Sequence, residues 1–191
     1  MYYCSMNKEF GVIKDGRTAT LYTLDNKHGM KVSVTDYGAT IVSIFVTDRD
    51  GLERDVVLGY DDAASYEKGE CFFGAVVGRY ANRISEAGFE LNGTKYNLTA
   101  NDRANTLHGG RDFYGHRLWD TCEYDENSIT FGLHSPDADQ GFPGDIDIRV
   151  TYLLSEQNEL EITYSITESR RHAHAQEQDA LPRLLSHTFI R

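Results

Sequence analysis

The chain has 191 residues, 40% hydrophobic and 26% charged, with a formal net charge of -11. That length holds one domain with a real core, or part of a larger one, and the acidic balance argues against a nucleic-acid partner, whose phosphates would be repelled. No apolar run approaches the length of a membrane span, so no membrane partner is expected, and the first residues lack the basic and apolar regions of a secretory leader.

In chain order, the stretches 19–24, 29–36, 40–46 and 55–59 alternate apolar and polar residues and predict strands. The segment 61–69 predicts one short helix. Residues 72–84, FFGAVVGRYANRI, read as an apolar strand running into a polar turn. Between residues 89 and 98, Asn92-Gly93 separates two alternating arms, a strong hairpin signal because this pair tolerates the positive φ angles of a type I′ turn. Asp15-Gly16 and Asp50-Gly51 read as further tight turns. Strands are predicted again at 128–134, 146–154 and 158–167. With no β-α-β alternation, the pattern predicts an all-β protein, a largely antiparallel sheet or β sandwich.

Three cysteines, Cys4, Cys71 and Cys122, are odd in number and far apart. They make neither a metal-binding spacing nor a disulfide framework, which suits a reducing, cytoplasmic setting.

Two segments carry residues suited to sugar chemistry. Arg79 and Arg83 are four apart with Asn82 beside the second. A rigid guanidinium fork next to a carboxamide that both donates and accepts matches vicinal hydroxyls. The plainer reading is two arginines ion-paired with some of the 30 acidic residues. In Thr106-Leu107-His108-Gly109-Gly110, an imidazole precedes two glycines that let the backbone approach a ligand closely. Here the plainer reading is a loop histidine beside a flexible turn. The loop 135–145, SPDADQGFPGD, has three aspartates but lacks the full spacing and closing Glu of a calcium loop, so no metal is expected. The chain has no Gly-x-Ser-x-Gly elbow, no phosphate-binding glycine loop and no His-Glu-x-x-His.

Taken together and in order, FGVIKDG (10–16), DYGATIVSI (36–44), DVVLGYDDAASY (55–66), FFGAVVGRYANRI, NDRANTLHGG (101–110), SPDADQGFPGD and the strands to residue 167 resemble the aldose 1-epimerase (galactose mutarotase) family. The resemblance covers about residues 9–167 and implies the family's large antiparallel β sandwich. It implies conversion of α and β anomers of hexoses such as galactose and glucose by proton transfer, with no cofactor or metal. It places Asn82, Arg83 and His108 at positions that contact the sugar, with Arg83 and His108 holding its oxygens.

The resemblance fails after Ile166-Thr167. There the family has a Thr-Asn-His-x-Tyr-Phe-Asn segment whose histidine is the general acid, and later a sugar-binding aspartate and a glutamate base. Ser186-His187-Thr188-Phe189 is only a faint echo. Residues 1–167 therefore read as the N-terminal part of a mutarotase-like sandwich domain, and 168–191 as a divergent tail. That tail has no Gly or Tyr, against 17 and 12 in the chain, and holds three of the seven histidines. It reads either as a solvated tail with a short amphipathic piece at 181–185 or as the product of a frameshift or early stop. The expected function is that of an aldose 1-epimerase, inactive as this chain. The alternatives are a non-catalytic carbohydrate-binding module, an epimerase of phosphorylated hexoses, or the misfolded product of a damaged gene.

Overall fold

The computed structural model describes residues 7–168 and the backbone of 188–190. Cys4, the 181–185 piece and His187 lie outside the described residues.

The first sheet is an antiparallel meander of β1 (Asn7–Val12), β2 (Thr18–Asp25), β3 (Met30–Thr35), β4 (Thr40–Thr47) and β5 (Glu53–Asp55), in that order. Gly16 and Gly51 take positive φ at the two expected Asp-Gly turns. The short helix α1 (Ala63–Lys68) starts where the Asp62 carboxylate accepts from the Ser65 amide at 2.7 Å, an N-cap bond. Four short strands follow: β6 (Arg83–Ile84), β7 (Gly88–Leu91), β8 (Thr94–Asn97) and β9 (Thr106–Leu107). β7 and β8 form the expected hairpin, with Asn92 and Gly93 both at positive φ. β6 pairs with β9 across that hairpin.

The second sheet is another antiparallel meander: β10 (Asp120–Tyr124), β11 (Ser128–Ser135), β12 (Ile146–Leu154), β13 (Leu160–Glu168) and β14 (Thr188–Ile190). Every second residue of β12 is buried, from Ile146 to Leu154, as its alternation requires. The two sheets close on one apolar core. Leu24, Val32, Val34 and Ile44 of the first sheet meet Ile129, Phe131, Val150 and Leu154 of the second. Polar ties cross the same interface. Tyr152 Oη donates to the Ala39 carbonyl at 2.5 Å, and Asn26 Nδ2 donates to Ser155 O at 2.8 Å. This is the antiparallel β sandwich expected from the sequence.

Two predicted strands are absent. Residues 56–59 leave the sheet because the Asp55 carboxylate, rather than a partner strand, accepts from the Ile44 amide at 3.0 Å and the Val57 amide at 3.2 Å. Val56 and Leu58 are left 58% and 71% exposed. The apolar stretch 72–78 lies along the edge of β4 without becoming a strand. It touches that edge through Ile41 N to Gly74 O and Val76 N to Gly38 O, and the positive φ of Gly74 breaks any regular ladder between them. β1 and β10 carry no clean alternation in sequence, and each has a register shift in its pairing.

Candidate functional site

The two sugar-suited segments meet on the β6–β9 ribbon, where Arg83 faces Leu107. Asn82 and His108 flank that pair, and both hold left-handed backbone conformations, with φ of 67° and 53°. They lock each other in place. The His108 amide donates to the Asn82 carbonyl at 2.9 Å, and the Asn82 amide donates to His108 Nδ1 at 3.1 Å. Because Nδ1 accepts, the neutral ring carries its proton on Nε2, which becomes a donor. Burial, and secondarily the charge of Arg83, lower the His108 pKa below its ordinary 6.5. The neutral imidazole is therefore favoured.

Arg83 donates through Nε to Asp102 Oδ2 at 2.6 Å and through Nη1 to Asn82 Oδ1 at 3.3 Å. Its side chain is 55% exposed, so the ion pair adds little stability but holds the guanidinium side-on. Nε and Nη1 are thus engaged, and Nη2 makes no hydrogen bond among the described residues. Phe72 sits edge-on to the His108 ring, with centroids 4.7 Å apart, and is backed by Phe113. Its ring remains 39% exposed.

The glycines after His108 have separate tasks. Gly109 lies so close to the Gly78 carbonyl that no Cβ would fit, which welds the 106–110 segment to the 78–84 segment. Gly110 packs against the Gln140 side chain, whose Oε1 accepts from the Asp112 amide at 3.2 Å. The loop around residues 135–145 thus braces the site. Among the described residues no group of three or more His, Cys, Asp or Glu is placed to hold a metal ion.

Arg79 has neither of the roles the sequence offered. Its guanidinium donates to Ser135 Oγ and to the carbonyls of Ser135, Pro136 and Pro143 at 2.7–3.0 Å. It staples the loop to the site's base. Beside it, Arg117 makes two 2.7 Å bonds to the Asp139 carboxylate, and Ser135 Oγ donates to the same group. Burial would raise the Asp139 pKa, but these hydrogen bonds and the charges of Arg117 and Arg79 hold it below the ordinary value.

Asp102, Asn101, Phe72 and Gln140 are site residues that sequence reasoning did not single out. Asn101 and Asp102 lie within the quoted NDRANTLHGG, but their side-chain roles follow from a turn that no periodicity announces. A separate apolar groove of about 360 Å³ is lined by Ile41, Ile44, Val57, Leu58, Phe73 and Gly74, and none of these side chains could act on a hydroxyl.

A family model described as Aldose 1-epimerase matches residues 20–174. The aldose 1-epimerase of Haemophilus influenzae is 46% identical over 151 residues, which are 79% of this chain and 44% of that protein. The galactose mutarotase of Bos taurus is 40% identical over 135 residues, 71% of this chain and 39% of that one. Among solved structures, a GalM/aldose epimerase homologue from C. elegans superposes with a TM-score of 0.76 at 33% identity, covering 78% of this chain and 46% of that chain. The chain spans about half the length of the curated relatives it matches. With the sandwich, the ribbon and a match over most of its length, the chain belongs to the aldose 1-epimerase family.

Proposed function

We propose that this chain supplies the sugar-holding part of an aldose 1-epimerase site, with Asn82, Arg83 and His108 as contacts to a hexose such as galactose or glucose. The observation that carries this reading is the mutual lock of Asn82 and His108, which leaves the imidazole Nε2–H as a donor next to Arg83, itself bonded to Asn82 through Nη1. Two such donors hold the ring oxygen and a neighbouring hydroxyl in one orientation, so that negative charge developing on the ring oxygen is met by donors already in place. In the family reaction an acid protonates the ring oxygen while a base takes the C1 hydroxyl proton; the ring opens, C1 rotates, and the ring closes on the other face.

The carboxylate at the site, Asp102, is taken up by Arg83, and neutral His108 has its one basic nitrogen occupied by Asn82. Neither is free to take the C1 proton. This favours sugar binding without catalysis for the 191-residue chain by itself, since a positioned acid or base typically contributes about 10²–10⁴-fold. Polarimetry on freshly dissolved α-D-galactose and α-D-glucose, alongside calorimetric titration with the same sugars, tests both halves of the proposal. Saturable binding with no acceleration of mutarotation is expected. Acceleration that scales with protein and vanishes in Arg83→Ala would make the chain a working enzyme. No binding of either sugar would overturn the assignment of the site.

A further inference from the structure

His108 is the centre of the proposed site, and beyond its lock with Asn82 its turn depends on bonds from neighbouring residues. It opens a run of three left-handed residues, His108, Gly109 and Gly110, with φ of 53°, 96° and 114°. Two of these are glycines, whose own conformational preferences do not fix the turn; it is held by what surrounds it, with Gly109 against the Gly78 carbonyl. The turn itself is closed by one backbone bond, Gly110 N to Leu107 O at 3.1 Å. A second closure comes from outside. The Asn101 Oδ1 accepts from the Leu107 amide at 2.6 Å, and Asn101 Nδ2 donates to the Leu107 carbonyl and the Gly110 carbonyl, each at 2.9 Å. One carboxamide therefore spans the two residues that bracket His108-Gly109. It uses both of its amide protons and its oxygen to do so.

We propose that Asn101 is a positioning residue for His108, fixing the direction of the imidazole Nε2–H, and with it the affinity for the sugar. The proposal rests on the reading of His108 as a sugar contact. Asn101 is itself exposed, so its side chain contributes little by packing. Two of its three bonds go to Leu107 at exposed positions, where water can replace it, and only the bond to the Gly110 carbonyl is partly buried, so the fold would survive with a small loss. The turn would not keep its shape. A looser turn lets the imidazole leave the Asn82 amide, the contact that keeps Nδ1 an acceptor. The chemistry of the clamp is also specific. Aspartate has the same size and could still accept from the Leu107 amide, but it has no amide protons and would set an anion against two carbonyl oxygens.

The test uses the full 191-residue chain, D-galactose as the probe, and Asn101→Ala, Asn101→Asp and His108→Ala variants. Calorimetry gives the affinity, side-chain NMR gives the His108 tautomer and titration midpoint, and circular dichroism gives Tm. For Asn101→Ala we expect galactose affinity to fall about three- to tenfold, the equivalent of one weakened hydrogen bond. The His108 midpoint should rise toward 6.5 with Tm almost unchanged. Asn101→Asp should lose at least as much affinity and should serve if the alanine variant does not fold. If His108→Ala abolishes binding while both Asn101 variants keep wild-type affinity and titration, the positioning role is overturned and the sugar reading stands. If the wild-type chain binds no galactose, or His108→Ala binds it normally, the sugar reading falls and the proposal falls with it.

Discussion

The sandwich core and the β6–β9 ribbon are built by opposite rules. Along β12 every second side chain enters the core, and each buried residue does the same job as the next. In the ribbon, two strands of two residues each are held by bonds from side chain to backbone and by left-handed residues at 82, 108, 109 and 110. No residue there repeats another's task. Core positions therefore share the burden of stability, while each ribbon position carries a separate part of the site. A substitution in the core should cost stability in proportion to the volume lost. One in the ribbon should cost binding and leave the fold nearly intact.

The largest effect is expected in the core. Phe131 is fully buried against Tyr22 and Tyr152, so Phe131→Ala should lower stability by about 3–5 kcal/mol in urea denaturation. A loss below about 1 kcal/mol would break the comparison on the core side. Next comes the loop that braces the ribbon from behind. Asp139→Ala takes the more buried of its two carboxylate partners from Arg117, which keeps Asp112, and should cost about 1.5–3 kcal/mol, while an Asp139→Leu, Arg117→Met pair should recover part of it. The Asp139 contribution is that of a carboxylate with a depressed pKa. It should be complete above the ordinary value of 3.8 and be lost as pH falls through the lower folded value, visible as steeper acid unfolding in wild type than in the apolar pair.

Smaller effects on stability are expected on the ribbon itself. Gly109→Ala would push a Cβ into the Gly78 carbonyl and should abolish galactose binding, with core packing, read by near-ultraviolet circular dichroism, kept. Loss of the near-ultraviolet signal in this variant would mean that ribbon and core are one cooperative unit. The mildest perturbation is pH. His108 has a lowered pKa, so its neutral form is favoured in the folded chain. Its contribution is complete above 6.5 and is lost as pH falls through the lower folded value. Protonation puts a proton on Nδ1, facing the Asn82 amide, and breaks the lock. Galactose titrations stepped from pH 7.5 downward should hold constant affinity to below 6.5 and then decline. In Arg83→Met the NMR midpoint of His108 should move up, because a nearby positive charge has been removed.

The same contrast governs what can be read from the chain alone. Strands β2, β3, β4, β11, β12 and β13 are legible because alternation over six to nine residues buries one face of a sheet and would bury no single face of a helix. Asn92-Gly93 is legible because a two-residue turn restricts its composition. Residues 72–78 and 56–59 mislead because apolar content and local spacing say nothing of a carboxylate such as Asp55 that replaces a ladder, or a glycine such as Gly74 that interrupts one. Asn82, Arg83 and His108 stand out through family resemblance; their spacing alone favours the plainer reading of ion-paired arginines and a loop histidine. The clamp residues Asn101 and Asp102 are not separable in sequence from ordinary polar loop residues, since their partners are backbone atoms and an arginine placed by the turn.

The β7–β8 hairpin has a consequence for the order in which the chain assembles. It occupies the stretch between Ile84 and Thr106, the very residues that must pair to make the ribbon. A hairpin with a favourable two-residue turn forms locally in about 1–10 μs. Once it has formed, with Phe89 stacked on Tyr96, the ends that remain to be joined are already neighbours. The entropy of closing that long loop is then met in two small instalments rather than in one large step. A hairpin outside the β6–β9 ribbon acts as the zip fastener of the site, and altering Asn92-Gly93 should slow the site's arrival during refolding more than it changes the finished site.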